Sequence, residues 1–262
     1  FDMERIEKNA LVKDKKIKFF EVDKEMFEGL SKNSKTFEKE LFARLENKIH
    51  INRLPATQII VASDIGTGGS PSEVAIFFKV GKKWIYEYQI SIFKMIAKEQ
   101  HYIFKWIYEK MGTCFISLDC SEGHGDNIRQ YLLDDGIEEK YLPRYRFSEN
   151  IEIGFEKDPE TGKPRVDKNR KPIIQKRNTK EFAVDLVENN LYSGLLQVKY
   201  DEKFKKEFSG FLEMRSGNRM KYDTTSSDHL LDSFLLFSLC LWQNENIETV
   251  NQKPKKRKLG GF

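Results

Sequence analysis

The chain has 262 residues, of which 39% are hydrophobic and 33% are charged. These proportions predict a globular chain with one sizeable core and exclude a disordered one. The formal net charge is only +4, so a nucleic-acid surface would have to come from local clusters of Lys and Arg.

The start of the chain, its apolar runs and its cysteines are typical of a cytoplasmic protein. No apolar run reaches transmembrane length, and the first residues lack the apolar centre of a signal peptide. Cys114, Cys120 and Cys240 form no C-x-x-C pair and lie in or beside apolar segments, which is typical of reduced thiols in a cytoplasm. Because the chain begins with Phe1, we expect it to be a piece of a longer protein.

The first 54 residues are rich in Lys and Glu, and we expect a linker or a small helical segment there. Phe37, Leu41, Leu45 and Ile49 recur at helical spacing. After Pro55 come three strand-like runs, TQIIVASD, SEVAIFFKV and KKWIYEYQIS, separated by short turns. Such turns predict an antiparallel meander.

A helical pattern (FKMIAKEQHYIFKWIYEKM), a short apolar strand (CFISLDC) and another helix (GDNIRQYLLDD) follow. A crossover helix favours parallel pairing of the strand after it. The predicted fold class is therefore α/β, with a mixed central sheet of three antiparallel strands and parallel additions, flanked by helices.

Residues 141–180 are basic and rich in turns, and we expect a hairpin excursion whose two extended arms are joined by the turn DPETGK. The pattern then predicts a helix (TKEFAVDLVENNLYSG), a strand (LLQVKY), an amphipathic helix (EKFKKEFSGFLEMRSG) and an apolar helix (DHLLDSFLLFSLCLWQ). The core domain is predicted over 55–245 and a disordered basic tail over 246–262. The tail's PKKRK is typical of either a nuclear localisation signal or a DNA contact.

Four carboxylates suggest the chemistry. Asp64 and Asp119 end apolar strands, and Asp228 and Asp232 share one face of the last helix. A carboxylate beside apolar surroundings is costly unless its charge is compensated, and a shared divalent cation does this well. Two such ions about 4 Å apart can stabilise both the attacking and the leaving oxygen in phosphodiester hydrolysis. We therefore predict a nuclease.

Some of these residues also have a simpler interpretation. Asp64 is typical of an Asx turn and Asp228 of a helix N-cap. Asp232 stands among leucines and phenylalanines with no Lys or Arg one helical turn away, so a metal partner explains it better. His229 is predicted to act at the site as ligand, general base or substrate contact, although a polar residue at a helix start is the alternative. His124 is expected to be a loop residue.

The hairpin excursion is predicted to bind DNA, because its basic residues could follow a phosphate backbone. The alternative is a solvated hairpin, because five acidic residues dilute its charge. The predicted DNA-binding residues are Arg144, Arg146, Lys163, Arg165, Lys168, Arg170, Lys171, Lys176 and Arg177.

The segments VASDIGTGGSPSEVAIFFKV, ISLDCSEGHGDNIRQYL and SSDHLLDSFLLF resemble the nuclease domain of the large terminase subunit of tailed bacteriophages, in the RNase H-like superfamily. The resemblance implies an endonuclease that uses two divalent metal ions, Mg²⁺ or Mn²⁺, to cut double-stranded concatemeric genomes during packaging. It implies metal ligation by Asp64, Asp119 and Asp232, with Asp228 as an additional ligand and His229 beside them.

The same resemblance implies an upstream packaging ATPase domain, a portal, a small terminase subunit and the cytoplasm of an infected bacterial host, with no membrane partner. The ATPase motif GxxxxGK[ST] does not occur in this chain. Three rivals remain. They are another RNase H-like nuclease such as a junction resolvase or transposase core, a sugar-kinase or actin-like phosphotransferase suggested by DIGTGG, and a non-catalytic DNA-binding module.

Overall fold

The structure is a computed structural model that describes residues 1–31, 35–66, 69–121, 123–216, 219–225 and 227–251. The helices are α1 (Met3–Asn9), α2 (Phe37–Lys48), α3 (Ala97–Met111), α4 (His124–Asp134), α5 (Thr179–Tyr192), α6 (Glu202–Gly210) and α7 (His229–Asn251). The strands are β1 (Leu11–Lys16), β2 (Lys18–Val22), β3 (Gln58–Asp64), β4 (Ser72–Val80), β5 (Lys83–Ile92), β6 (Phe115–Asp119), β7 (Arg144–Tyr145), β8 (Asn150–Phe155), β9 (Ile174–Asn178), β10 (Leu196–Tyr200), β11 (Phe211–Ser216) and β12 (Arg219–Thr224).

One mixed sheet forms the centre of the described chain. Its strand order is β1-β10-β5-β4-β3-β6-β7, and β2 pairs with β5 beside β10. Strands β3, β4 and β5 pair antiparallel, whereas β6 joins β3, β7 joins β6 and β10 joins β5 in parallel. The predicted α/β class, with three antiparallel strands and parallel additions, is confirmed.

Alternate residues of the central strands pack into two layers. Ile59 and Val61 of β3 face a core built with α2, α3 and α4. Ile60 and Ala62 face the other core, built with α1, α5, α6 and α7. Because successive side chains of a strand point to opposite faces, a sheet covered on both sides must be apolar at consecutive positions, as β3 is.

Two strands come from the residues before Pro55, where we expected a linker or small helical segment. Strand β1 pairs in parallel with β10, and β2 pairs in parallel with β5. Helix α2 agrees with the predicted helical spacing. The central sheet thus uses residues on both sides of position 54, and the division of the chain there stays a prediction.

The excursion is a branched hairpin, whereas we expected two arms joined by the single turn DPETGK. Strands β8 and β9 form an antiparallel stem, which divides at Glu156, Arg165 and Ile173. Their backbone N–H groups donate in a ring, from Glu156 to Ile173, from Arg165 to Glu156 and from Ile173 to Arg165. Two short turns leave this junction, one closed by the bridge Lys157–Pro164 and one by Val166–Pro172.

Two further expectations differ from the structure. The amphipathic helix ends at Gly210, because Phe211 starts a hairpin of β11 and β12 and its ring stacks on Tyr222 with centroids 5.2 Å apart. Residues 246–251, expected in a disordered tail, continue α7. The rest of that tail, including PKKRK, lies outside the described residues. None of the described helices is long and apolar enough to cross a membrane.

Candidate active site

The sheet topology places Asp64 and Asp119 side by side. Strands β3 and β6 are parallel neighbours, with Ser63 opposite Leu118, so the next residue of each strand is one of the two carboxylates. The carboxyl ends of parallel strands open at the same edge of a sheet. The loops after both strands pass so close to neighbouring backbone that they require glycine. A Cβ atom at Gly66 would lie 2.3 Å from the Pro71 carbonyl oxygen, and a Cβ atom at Gly125 would lie 1.9 Å from the Asp119 carbonyl oxygen.

The start of α7 brings the second pair of carboxylates to this edge. Asp228 immediately precedes α7, and Asp232 lies in its first turn. The backbone N–H of Asp232 donates to the Asp228 carbonyl at 2.8 Å. His229 Nδ1 lies 2.6 Å from Asp64 Oδ2, so α7 and β3 meet through this pair.

A carboxylate from another helix caps α7. The backbone N–H groups of Leu230 and Leu231 donate to Glu207 Oε2 at 2.9 and 3.0 Å. These are the donors that an N-cap side chain would take, so Glu207 of α6 fills the capping role that was one of the two interpretations of Asp228. The Asp228 carboxylate lies near Lys180 instead, with Oδ2 3.4 Å from Nζ.

All five residues that we predicted to be catalytic or metal-binding line one cleft of about 420 Å³. The lining also includes polar residues that the sequence interpretation left out, most of them from the loop after β6 and from the start of the excursion. The cleft is lined by Asp64, Ile65, Gly66, Ser70, Asp119, Ser121, His124, Gly125, Phe147, Ser148, Asp228, His229 and Asp232.

The N-terminus of α4 opens onto the same cleft. His124, which we expected in a loop, is the first residue of α4. Asp119 Oδ1 accepts hydrogen bonds from the Ser121 backbone N–H at 2.9 Å and from its hydroxyl at 2.6 Å. The exposed N–H groups of a helix start favour anions, so this side of the cleft suits a phosphate.

Lys180 is the main residue that sequence reasoning missed. Its Nζ lies 2.9 Å from Asp232 Oδ1 and 3.0 Å from Oδ2. Asp232 has no Lys or Arg one turn away in its own helix, and its partner Lys180 comes from α5, 52 positions earlier in the chain. Ion pairs between distant segments leave no local spacing signal, and only the Lys at the start of TKEFAVDLVENNLYSG could have pointed to it.

The charges in the cleft are unbalanced. Burial raises the pKa of Asp232, and the negative charges of Asp64 and Asp228 add to the rise against the opposing effect of Lys180. Burial likewise raises the pKa of Asp119. The hydrogen bond to Asp64 raises the pKa of His229 against its desolvation. Raised carboxylate pKa values mean that the site gains from additional positive charge.

The donor set suits a hard divalent cation. Carboxylate oxygens are the ligands that Mg²⁺ and Mn²⁺ prefer. Asp232 Oδ1 is buried and receives no hydrogen bond of acceptable geometry, although the Lys180 ammonium is close to it. In the described part of the chain, no three His, Cys, Asp or Glu side chains are yet arranged around a single ion, because Asp64, Asp119 and Asp232 are each held by a separate partner.

The predicted DNA-binding residues divide into two groups. Near the site, Arg144 pairs with Asp126 at 2.7 Å, and Arg146 pairs with Asp126 at 2.5 Å and with Glu149 at 2.9 Å. On the branched hairpin, Arg165, Lys176 and Arg177 pair with acidic residues at 3.3, 3.2 and 2.7 Å. Lys163, Lys168, Arg170 and Lys171 lie on its two turns, and all four are exposed.

Solved structures of a phage enzyme are similar to this chain. The large terminase nuclease from thermophilic phage G20c aligns with a TM-score of 0.50 at 15% identity, over 74% of this chain and 85% of that one. The same nuclease with bound magnesium gives a TM-score of 0.52 at 14% identity, over 72% and 84%. With bound cobalt it gives 0.51 at 15% identity, over 72% and 84%. This chain has the fold of a large terminase nuclease.

The terminase resemblance of the three sequence segments is therefore confirmed at the level of the fold. No family model matches the sequence, and no curated protein is similar to it. The likeness to terminase nucleases thus rests on tertiary structure. The roles of the individual residues in the cleft, and of the basic residues on the branched hairpin, stay predictions.

Proposed function

We propose that this chain is a metal-dependent endonuclease that cuts double-stranded DNA with little sequence preference, as the nuclease part of a phage terminase. The observation that carries the proposal is the convergence of Asp64, Asp119, Asp228 and Asp232 on one cleft. They come from β3, β6 and the start of α7, in a fold shared with a terminase nuclease solved with bound magnesium and cobalt.

Asp64, Asp119 and Asp232 would hold two divalent ions, with Asp228 as an additional ligand. When bound, such ions lower the pKa of water and neutralise the charge that develops on a phosphodiester during hydrolysis. The protein's own part is to orient the carboxylates. Ser121 fixes Asp119 through two hydrogen bonds, and His229 fixes one oxygen of Asp64. The histidine would also be placed to exchange a proton at Nε2 with a group in the cleft.

The start of α4 and the branched hairpin would bind the DNA. Backbone N–H groups at a helix start bind a phosphate without reading the bases. Exposed Lys and Arg on the hairpin turns would add contacts of the same kind. Because these contacts involve phosphates and no base edges, we expect cleavage with little sequence preference. We further propose that an upstream packaging ATPase, the portal and a small terminase subunit are partners in the infected bacterial cytoplasm.

Supercoiled plasmid incubated with the protein and Mn²⁺, Mg²⁺ or EDTA tests the proposal. We expect nicked and linear products with either metal and none with EDTA. Mn²⁺ should be more effective, because Mg²⁺ requires near-ideal octahedral coordination and dehydrates reluctantly. Sequencing of the product ends should give no consensus.

The Asp119→Asn variant, purified in the same way, controls for contaminating nucleases. Intact plasmid at high protein concentration in both metals, with circular dichroism showing folded protein, would contradict the proposal. Strong preference for a four-way junction over linear duplex would favour a junction resolvase.

A further inference from the structure

One cation of the protein already lies at the carboxylates of α7. Lys180 Nζ is 2.9 and 3.0 Å from the two oxygens of Asp232 and 3.4 Å from Asp228 Oδ2. These are hydrogen-bond and ion-pair distances. An incoming metal ion that used Asp232 would therefore meet a positive charge at the oxygens it needs.

The Lys180 side chain is held in this position. Its backbone is fixed because the Asn178 side chain caps α5, accepting from the N–H groups of Lys180 and Glu181 at 3.0 and 3.1 Å. The ammonium also lies 5.3 Å from the centre of the Phe147 ring, within cation–π range. Only 22% of the side chain is exposed, so solvent screens its charge weakly.

The ammonium has space to withdraw. A second cleft, of about 570 Å³, shares Phe147 and Ser148 with the carboxylate cleft and is lined by Lys180 itself. Glu181 lines this adjoining cleft and offers another carboxylate. A long, flexible Lys side chain can move between such partners by rotation about its side-chain bonds.

We propose that Lys180 competes with a divalent metal ion for Asp232, so that its ammonium must withdraw before a metal can bind there. The inference rests on the proposed function, because it assumes that Asp232 is a metal ligand. The competition explains why the carboxylates are bound to different partners in the metal-free protein. Asp232 is paired with Lys180 and Asp64 with His229, and metal binding must draw them together.

Calorimetric titration with Mn²⁺, without DNA and at 150 mM salt, tests the competition. Removing one unit charge beside a divalent ion should tighten Mn²⁺ binding to Lys180→Met by about tenfold relative to wild type. Lys180→Gln is a second variant without the charge, for use if the methionine variant does not fold. Lys82→Met removes a charge from the turn at the far end of β4 and β5, and we expect wild-type affinity.

The gain must also depend on Asp232. In the Asp232→Asn background, Lys180→Met should no longer tighten Mn²⁺ binding, because the contested ligand is gone. A persistent gain there, or unchanged or weaker affinity in both Lys180 variants, overturns the inference. If wild type binds Mn²⁺ and cuts plasmid without such a gain, the competition alone fails. If no variant binds Mn²⁺, the proposed function fails with it.

Discussion

The backbone N–H of Asp64 donates to the hydroxyl of Ser233 at 3.2 Å, across 169 positions of sequence. The same hydroxyl donates to the carbonyl of Glu73 at 2.8 Å. Ser233 is completely buried, and it follows Asp232 directly in the first turns of α7. One side chain thus ties the ends of two central strands to the helix that carries the other carboxylates.

Ser233→Ala should reduce both stability and cleavage. The substitution leaves a buried N–H of Asp64 without its partner, which costs about 1–3 kcal/mol. It also leaves the position of Asp64 relative to Asp232 less well fixed. A catalytic group misplaced by about 1 Å can lower the reaction rate roughly a hundredfold. Ser238→Ala is the matched control. Ser238 is buried in the same helix, and its hydroxyl accepts a hydrogen bond from the Asn190 side chain away from the cleft. Chemical denaturation and plasmid cleavage give the two readouts; equal loss of cleavage in both variants would contradict a positioning role for Ser233.

Asp64→Asn, Asp119→Asn and Asp232→Asn should each abolish cleavage while the protein stays folded. Burial raises the pKa of Asp119, which means that its charge disfavours the metal-free fold, so a neutral amide there should preserve or increase the melting temperature measured in EDTA. Asp135→Asn is a control, because Asp135 pairs with His101 between α3 and α4 and should retain cleavage when folded. Wild-type cleavage by any of the three cleft variants would exclude that residue as a ligand.

Glu207→Ala should destabilise α7 at its first turn. The carboxylate accepts from Leu230 N–H and Leu231 N–H and from the Ser227 hydroxyl at 2.8 Å. Losing these buried bonds should cost about 1–3 kcal/mol and lower the cleavage rate, because His229 sits in the turn that they fix. Glu207→Gln keeps an acceptor oxygen and should restore much of both properties. Denaturant unfolding and single-turnover cleavage decide this, and a Gln variant as defective as Ala would mean that the charge matters more than the cap.

Changing Arg165, Lys168, Arg170 and Lys171 together to Ala should weaken DNA binding equally for all sequences. Each lost phosphate contact should lower the slope of log affinity against log salt by about 1. Metal binding should be unaffected, since the branched hairpin contributes no carboxylate to the cleft. Lys82→Ala with Lys83→Ala, at the sheet end away from Asp64, gives a control. Binding isotherms over a salt series provide the measurement, and an unchanged slope would mean that the hairpin is solvated or faces a protein partner.

Much of the central fold was readable from the sequence, for physical reasons that act locally. Consecutive apolar residues with short turns predicted β3, β4 and β5, helical spacing predicted α3, and a nearly all-apolar run predicted α7. The sequence also placed Asp64 and Asp119 at the ends of two strands of one sheet, whereas the structure shows that these strands, β3 and β6, are parallel neighbours. Each of these signals lies within one contiguous stretch of the chain.

Other features depended on which distant segments meet. The pairing of Lys180 with Asp232, the capping of α7 by Glu207 and the insertion of β1 and β2 beside β10 and β5 join parts of the chain that share no local pattern. The branch in the hairpin likewise arises from three backbone hydrogen bonds among segments that each read as an ordinary extended run. A residue's type limits the partners it can have, but packing of the whole chain selects among them, and only the tertiary structure contains that choice.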